Sequence, residues 1–236
     1  MDWNSRGLVI AAILAQFLSC DLRAQIGGKV GMSLSGLRSS NPDDFRPFLG
    51  HEVEWIQYGE SRPVIGFQIG VFYSIGISEY FDLQPEVNFI QRGYWFDQTP
   101  LYDAKYVVRI NYLELPVPIR YRAPIDAFDV LLFAGPYVAI KLSANGYIEY
   151  EGKEEVKSLT SVAPFDYGMV MGLGSEANVG EGQMTFDLRF NWGLHNMMSQ
   201  PSSYVDLYED PGSVINLAVA LMIGYRFDRM TRRQEP

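Results

Sequence analysis

The segment 214–227 alternates between two kinds of side chain at almost every position, and this constrains the fold more than any other feature. One set is apolar throughout and the other is mostly small or polar. A period of two places the sets on opposite faces of a β-strand. The segment therefore predicts a strand with one continuous apolar face, formed by Ile215, Leu217, Val219, Leu221, Ile223, Tyr225 and Phe227.

Similar alternation recurs along the chain, whereas no long segment after the amino-terminal region repeats apolar residues with a helical period or runs apolar for ~20 residues. The pattern predicts an all-β chain of eight strands. The seven others are Lys29–Leu37, Ile65–Ile77, Phe81–Gly93, Val107–Arg122, Val130–Asn145, Phe165–Val179 and Met184–Leu194.

The fourth predicted strand is irregular. Its apolar phase changes near Tyr112-Leu113, where Val108 and Ile110 give way to Leu115, and we interpret this change as a bulge in that strand. Proline cannot donate a hydrogen bond to a sheet ladder. The same segment contains two such residues, Pro116 and Pro118.

The connections alternate between short and long. The short ones are 78–80, 123–129 and 180–182, and the long ones are 38–64, 94–106, 146–164 and 197–213. This asymmetry is typical of outer-membrane barrels, and strands of ~9–11 residues suffice to cross a bilayer when tilted. We therefore predict an eight-stranded antiparallel up-and-down transmembrane β-barrel over residues 25–227, with short periplasmic turns and long extracellular loops.

The two ends of the chain differ from this pattern. An apolar run at 8–18 follows Arg6 and precedes Ala24, which predicts a secretory signal peptide over 1–24 and hence export. The alternatives are a lipoprotein acylated at Cys20 and a buried amino-terminal helix. After the last strand, residues 228–236 form a short basic tail, which the topology places in the periplasm.

A soluble lipocalin-like barrel with its apolar face inward is the main alternative fold, because alternation alone does not distinguish it. The content of the polar face favours the membrane barrel, since small residues suit a crowded interior better than a solvent-facing wall. That face is rich in glycine: Gly31, Gly70, Gly76, Gly135, Gly168, Gly172, Gly174, Gly193 and Gly224.

Composition excludes several classes of function. The 28 acidic residues outnumber the 19 basic ones, which gives a formal net charge of −9 and argues against nucleic-acid binding. Two histidines and one cysteine supply neither a zinc site nor a disulfide framework. We therefore expect no metal and no cofactor.

Several short motifs, taken in order, resemble the PorT-like outer-membrane β-barrel family. They are Gly27-Gly28-Lys29-Val30-Gly31, Leu83-Gln84-Pro85-Glu86, Gln91-Arg92-Gly93, Tyr112-Leu113-Glu114-Leu115-Pro116, Gly135-Pro136-Tyr137, Asp187-Leu188-Arg189 and Ile223-Gly224-Tyr225-Arg226-Phe227. The resemblance implies an eight-stranded barrel in the bacterial outer membrane, and the family's founder is associated with secretion and maturation of exported proteins. The expected partners are outer-membrane lipid and envelope or secretion-complex proteins. The expected aromatic assembly signal is formed by Tyr225 and Phe227. Because nine residues follow Phe227, the assembly machinery would have to recognise this signal within the chain rather than at its end.

The predicted phase places nine charged residues inside the barrel, five basic and four acidic. An eight-stranded barrel is only wide enough for side chains, and a buried charge without a partner is costly. We predict a polar plug in which Arg189 lies near Glu86 and Glu114; a proton or ion path is the alternative. The nine residues are Lys29, Glu86, Arg92, Glu114, Arg120, Lys141, Glu176, Asp187 and Arg189.

Two functions of different classes remain at this point. The first is a non-enzymatic barrel that anchors an envelope assembly. The second is a small lipid-modifying enzyme of the deacylase or esterase kind, in which His195 would serve as the base for a nearby serine. The candidate nucleophiles are Ser199, Ser202 and Ser203.

Overall fold

The computed structural model describes residues 24–39, 61–96, 105–125, 128–150, 153–160, 162–197 and 213–227. These ranges contain no helix long and apolar enough to cross a membrane. They form eleven strands: β1 (Ala24–Ser39), β2 (Ser61–Gly76), β3 (Phe81–Leu83), β4 (Glu86–Phe96), β5 (Lys105–Pro116), β6 (Ile119–Ile125), β7 (Phe128–Tyr150), β8 (Lys153–Ser158), β9 (Phe165–Val179), β10 (Gly182–Gly193) and β11 (Val214–Phe227).

The strands close into a ring of eight wall segments. β1 pairs antiparallel with β2 on one side and with β11 on the other, so the first and last strands are joined. β3 and β4 together form the third segment, and β5 and β6 together form the fourth. β7, β9 and β10 complete the ring. The predicted eight-stranded antiparallel barrel is confirmed.

Burial alternates along the strands as the predicted phase requires. In β11 the outward Leu221 is 66 % exposed, whereas the inward Ala220 is 1 % exposed. Large apolar side chains are exposed in the same way on every wall segment. An apolar belt of this size is unusual on a soluble monomer and is what a lipid-facing barrel wall presents. The inward face defines a lumen filled by side chains.

The irregularity predicted near Tyr112 exists, but its assignment to the fourth segment is wrong. In the β5–β7 ladder, Asn111 pairs with Ser143 and Tyr112 pairs with Lys141, so the extra residue is Leu142 of β7. Val108 and Ile110 lie on the same inward face as the later residues of β5, and both are fully buried in the lumen. Sequence misassigned them because the lumen is apolar at this level, so hydrophobicity no longer distinguishes the two faces.

Prolines interrupt two of the predicted strands. Gln84 and Pro85 separate β3 from β4, and the fourth segment breaks between Pro116 and Ile119. The sheet continues through proline carbonyls, because Gln84 N donates to Pro118 O at 2.9 Å. The wall is therefore continuous although its strands are not.

The segment predicted as the loop 146–164 contains an extra strand. β7 runs on to Tyr150, and β8 pairs with it from Asn145–Ser158 to Tyr150–Lys153. The sequence Lys-Glu-Glu-Val-Lys-Ser of β8 has no apolar alternation, which is why the pattern did not predict it. The predicted signal peptide with Cys20 and the basic tail 228–236 lie outside the described residues, and both stay predictions.

Candidate functional site in the barrel lumen

Five charged side chains form the central cluster of the lumen. Lys29 Nζ lies 2.7 Å from Glu86 Oε1 and 3.5 Å from Asp187 Oδ2. Arg189 binds Glu86 in a bidentate manner, with both N–O distances at 2.7 Å, and also contacts Asp187 at 2.9 Å. Arg120 Nη2 lies 2.8 Å from Asp187 Oδ1. Each carboxylate therefore joins at least two cations from different wall segments.

Glu86 is the most heavily bonded member of the central cluster. Besides Lys29 and Arg189, it accepts hydrogen bonds from Gln84 at 2.7 Å and Asn88 at 2.9 Å. Both amides lie two residues away on the same inward face of the third wall segment. The alternation that directs Glu86 into the lumen thus also supplies neutral donors for it.

Aromatic rings support the cations of the central cluster. The guanidinium carbons of Arg120 and Arg189 lie 5.4 Å and 5.3 Å from the centroid of Phe133. Lys29 Nζ lies 4.7 Å from the centroid of Phe72. Cation–π contacts of this kind favour a desolvated cation, so the rings stabilise the charge without competing for the carboxylates.

A second group, the turn-end cluster, lies toward the short turns. Arg226 Nη2 is 3.0 Å from Glu176 Oε2. Arg122 Nη2 is 2.7 Å from Asp82 Oδ2 and 3.3 Å from Glu176 Oε2. The side chains of Arg122 and Asp82 are 23 % and 13 % exposed, whereas Arg226 and Glu176 are buried. This cluster therefore marks where the lumen begins to open at its short-turn end.

A third group, the loop-end cluster, lies on the other side of the central cluster. Arg92 pairs through Nη2 with Glu114 and through Nη1 with Asp166, the latter at 3.1 Å. Asn191 donates to Glu114 at 3.1 Å. The Asp166 carboxylate accepts further hydrogen bonds from two side chains, Asn216 at 2.9 Å and Tyr137 at 3.2 Å.

Above the loop-end cluster the lumen becomes apolar. Tyr94, Tyr106, Val108 and Ile110 are buried there together with Val162, Met197 and Val214. Val162 and Met197 belong to the connections that enter β9 and leave β10, and Ala163 N donates to Met197 O at 2.7 Å. We call this group the apolar cap. It covers the ionic clusters at the end of the barrel that carries the long loops.

Glycines on the inward face make room for the clusters. A Cβ added at Gly174 would lie 2.7 Å from Asp187 Oδ1, and one added at Gly172 would lie 2.5 Å from Phe133 Cζ. These distances are below any normal carbon contact. The glycine-rich face read from the sequence is thus the space occupied by charged and aromatic side chains from neighbouring strands.

The structure brings eight of the nine sequence-predicted lumen residues together in the three clusters, and it separates Lys141 from them. Lys141 is half-buried, and its Nζ donates to the carbonyl oxygen of Val162. It pairs with the inward-facing Tyr112 and is in phase with the buried Ala139, but it lies at the level of the apolar cap rather than among the charged side chains. Arg189 binds Glu86 as predicted, whereas Glu114 is bound by Arg92 and Asn191 instead.

Sequence reasoning missed two fully buried members of the clusters, Asp166 and Arg226. A signal for both was present. Asp166 has the same strand parity as Glu176 in β9, and Arg226 lies on the polar side of the alternation in β11. With them, the described residues contain ten buried charges in the lumen, five cationic and five anionic.

The remaining candidates lie at the ends of the wall. Tyr225 OH donates to Val179 O at 3.0 Å, and its ring contacts that of Phe227 at 5.0 Å; their role as an assembly signal stays a prediction. The half-buried His195 ring lies 5.1 Å from the ring of Tyr167. The three serines proposed as its partners lie outside the described residues. No group of three metal-binding side chains occurs in the part of the chain that the structure describes.

Comparison with protein families identifies this architecture. A model described as "Outer membrane protein beta-barrel domain" matches residues 14–199, which is more than half of the chain. The chain belongs to this family. It is therefore a protein of the bacterial outer membrane, and the predicted location is confirmed. In such barrels the short turns face the periplasm and the long loops face outward.

Solved structures of outer-membrane barrels show low similarity to the chain. Ail, the attachment invasion locus protein of Yersinia pestis, is 13 % identical over 87 % of this chain and 99 % of its own, with a TM-score of 0.41. Neisserial surface protein A is 12 % identical over 87 % and 99 %, with a TM-score of 0.38. OprG of Pseudomonas aeruginosa is 11 % identical over 88 % and 98 %, with a TM-score of 0.40. A comparison with curated proteins gave no match.

Proposed function

We propose that this protein is a non-enzymatic barrel with a closed lumen that serves as a structural or interaction component of the bacterial envelope. The observation that carries the proposal is the set of ten buried lumen charges with equal numbers of each sign. Buried charges of this kind are stable only when paired and hydrogen-bonded. Moving one of them to open a path would leave its partners without compensation.

The order of the clusters supports the same conclusion. The turn-end, central and loop-end clusters follow one another along the lumen, and Arg120 links the first two through a 3.7 Å contact with Glu176. The apolar cap lies beyond them. An ion entering from the short-turn end would meet a network whose charges are already neutralised, and one entering from the loop end would first meet an apolar layer that offers no replacement for its hydration shell.

The resemblance to the PorT-like family extends the proposal toward protein secretion. A barrel without a pore can still contribute to an envelope complex through its extracellular loops and its periplasmic end. We propose that this chain is such a component, with envelope or secretion-complex proteins as its partners.

Planar-bilayer recording tests the closed lumen. We expect the purified full chain to conduct at background level. Arg92→Ala removes the cation of the loop-end cluster and should produce conductance by admitting water next to Glu114 and Asp166. Arg109→Ala is a matched control, since Arg109 lies in the neighbouring strand but faces outward. Large, regular conductance steps in the unaltered chain would contradict the proposal.

Crosslinking in native envelopes tests the interaction role. We expect envelope proteins to be captured by the unaltered chain. Deletions within 41–60 or within 199–212, two of the predicted long loops, should lose some of them. A set of captured proteins that no deletion alters would remove the support for a loop-mediated partner.

A further inference from the structure

The outer surface of the barrel wall changes character along one row of directly paired residues. On β4, β5 and β7 the outward positions nearer the short turns include Phe89, Leu113 and Leu142. The next outward residues toward the loop end are Gln91, Asn111 and Ser143. In the ladders Gln91 pairs with Asn111, and Asn111 pairs with Ser143. We call these three residues the polar row. It marks the outer limit of the apolar belt on three adjacent strands.

Hydrogen bonds join the polar row to an arginine. Asn111 Nδ2 donates to Ser143 Oγ at 2.9 Å, and Gln91 Nε2 donates to Asn111 Oδ1 at 3.4 Å. Arg109 Nη1 donates to Gln91 Oε1 at 2.8 Å. Arg109 is half-exposed and, among the described residues, has no carboxylate partner. An arginine presents five N–H donors, so this fixed guanidinium has most of its donors available for a ligand.

A second cation lies two residues further toward the loops. Arg62 pairs with Trp95 in the β2–β4 ladder, and its guanidinium carbon lies 5.2 Å from the indole centroid. Trp95 in turn pairs with Val107, and Val107 pairs with Tyr147. Tryptophan and tyrosine collect where a membrane meets water. We therefore infer that the polar row and Arg109, which lie just inside this aromatic row, are at the headgroup level of the outer leaflet.

We propose that the polar row, Arg109 and Arg62 form a binding site for the phosphorylated headgroup of an outer-leaflet glycolipid. The two guanidinium groups would bind phosphate, for which arginine has matching planar geometry. The amides and hydroxyl of the row would bind sugar hydroxyl groups. This proposal is independent of the closed lumen, because every residue of the site faces outward.

The order in which apolar and charged surfaces follow one another along the outer wall favours a lipid as the ligand. Acyl chains need an apolar surface, and a charged headgroup needs cations directly above it. The wall offers these in that order, with Phe89, Leu113 and Leu142 on the same three strands as the polar row. A lipid therefore satisfies both parts of the surface at once, and its negative charge complements the two arginines.

Native mass spectrometry of the full chain in detergent tests the site. The probes are diphosphorylated lipid A, its dephosphorylated form and phosphatidylglycerol. We expect the unaltered chain to retain diphosphorylated lipid A preferentially over both others. Arg109→Gln should weaken that retention by ~10-fold, because one charge-assisted contact is lost. Arg62→Gln, at an exposed position, should act in the same direction.

Matched controls separate the site from general charge effects. Lys157→Gln removes one positive charge from the same loop-end sheet, outside the polar row, and should leave retention unchanged. Heat-dependent gel mobility checks that each variant is folded. The proposal would be overturned if all three lipids were retained equally. It would also be overturned if Arg109→Gln and Lys157→Gln lost equal amounts of lipid A, or if a second copy of the chain were bound in place of lipid.

Discussion

The two faces of β11 meet different surroundings although their residues alternate along one strand. Leu221 points outward and is 66 % exposed, whereas its neighbour Ala220 points inward and is 1 % exposed. The outward side chain needs only to be apolar, because lipid accepts any similar surface. The inward side chain must fit the particular groups that face it across a narrow lumen. The outer face is thus specified by a class of residue and the inner face by individual residues.

The same contrast applies to arginine. Arg189 lies in the lumen with two carboxylates as partners, whereas Arg109 lies on the outer wall and is held by a neutral amide. The inner arginine is part of a neutralised set. The outer arginine keeps its charge available at the membrane surface. Position relative to the wall, rather than residue type, therefore determines what each arginine can do.

Glu86→Ala is the sharpest test of whether the inner face depends on individual residues. It leaves Lys29 and Arg189 buried without their principal anion, and we expect the free energy of unfolding to fall by about 3–5 kcal/mol. Urea titration of the chain in lipid vesicles measures this change. Glu79→Ala in the exposed turn is the control and should change stability by less than about 0.5 kcal/mol. Similar small losses for both variants would show that the central cluster is not specific.

Leu221→Arg tests whether the outer face requires only an apolar residue, because it places a charge against lipid in mid-strand. We expect a loss of about 2–4 kcal/mol in the same titration. Leu221→Met keeps an apolar surface and should be nearly neutral, and Ala220→Ser should be mild because its side chain points inward. If Leu221→Arg were as mild as Ala220→Ser, the phase of β11 would be wrong.

Gly172→Ala tests how closely the lumen is packed. The added Cβ would lie 2.2 Å from Leu188 O and 2.5 Å from Phe133 Cζ, so backbone and ring must shift. We expect a loss of about 1–3 kcal/mol of unfolding free energy, as for other overpacked sites. Gly36→Ala is the control, because the nearest atom would be 3.7 Å away. Equal stability of the two variants would mean that the inner face is looser than its geometry indicates.

The smallest effect is expected at the mouth of the lumen. Arg122→Gln breaks contacts with Asp82 and Glu176, but the arginine side chain is 23 % exposed and water can replace it. We expect a loss of about 0.2–1 kcal/mol. Arg189→Gln in the central cluster is the comparison and should cost about 3–5 kcal/mol. The difference between these two losses of unfolding free energy measures how far water enters the lumen from the short-turn end.

Alternation predicted the strands and most of the lumen residues, and it failed where both faces are similar. The bounds of β9 and β11 agree with the pattern at both ends. Val108 and Ile110 were placed outward because they are apolar, although they line the apolar cap. The bulge at Leu142, which a two-residue period does not reveal, reverses the phase of the β7 residues that follow it. β8 was missed because its residues are polar on both faces.

The sequence by itself determined that the chain is an all-β barrel with one face for lipid, because a two-residue period is a local property of the chain. Only the tertiary structure decided which charges pair. Glu86 and Arg189 are separated by 103 residues, and only closure of the ring brings them together. It also decided that Gln91, Asn111 and Ser143 form one row, because strand register depends on pairing between distant segments rather than on local pattern.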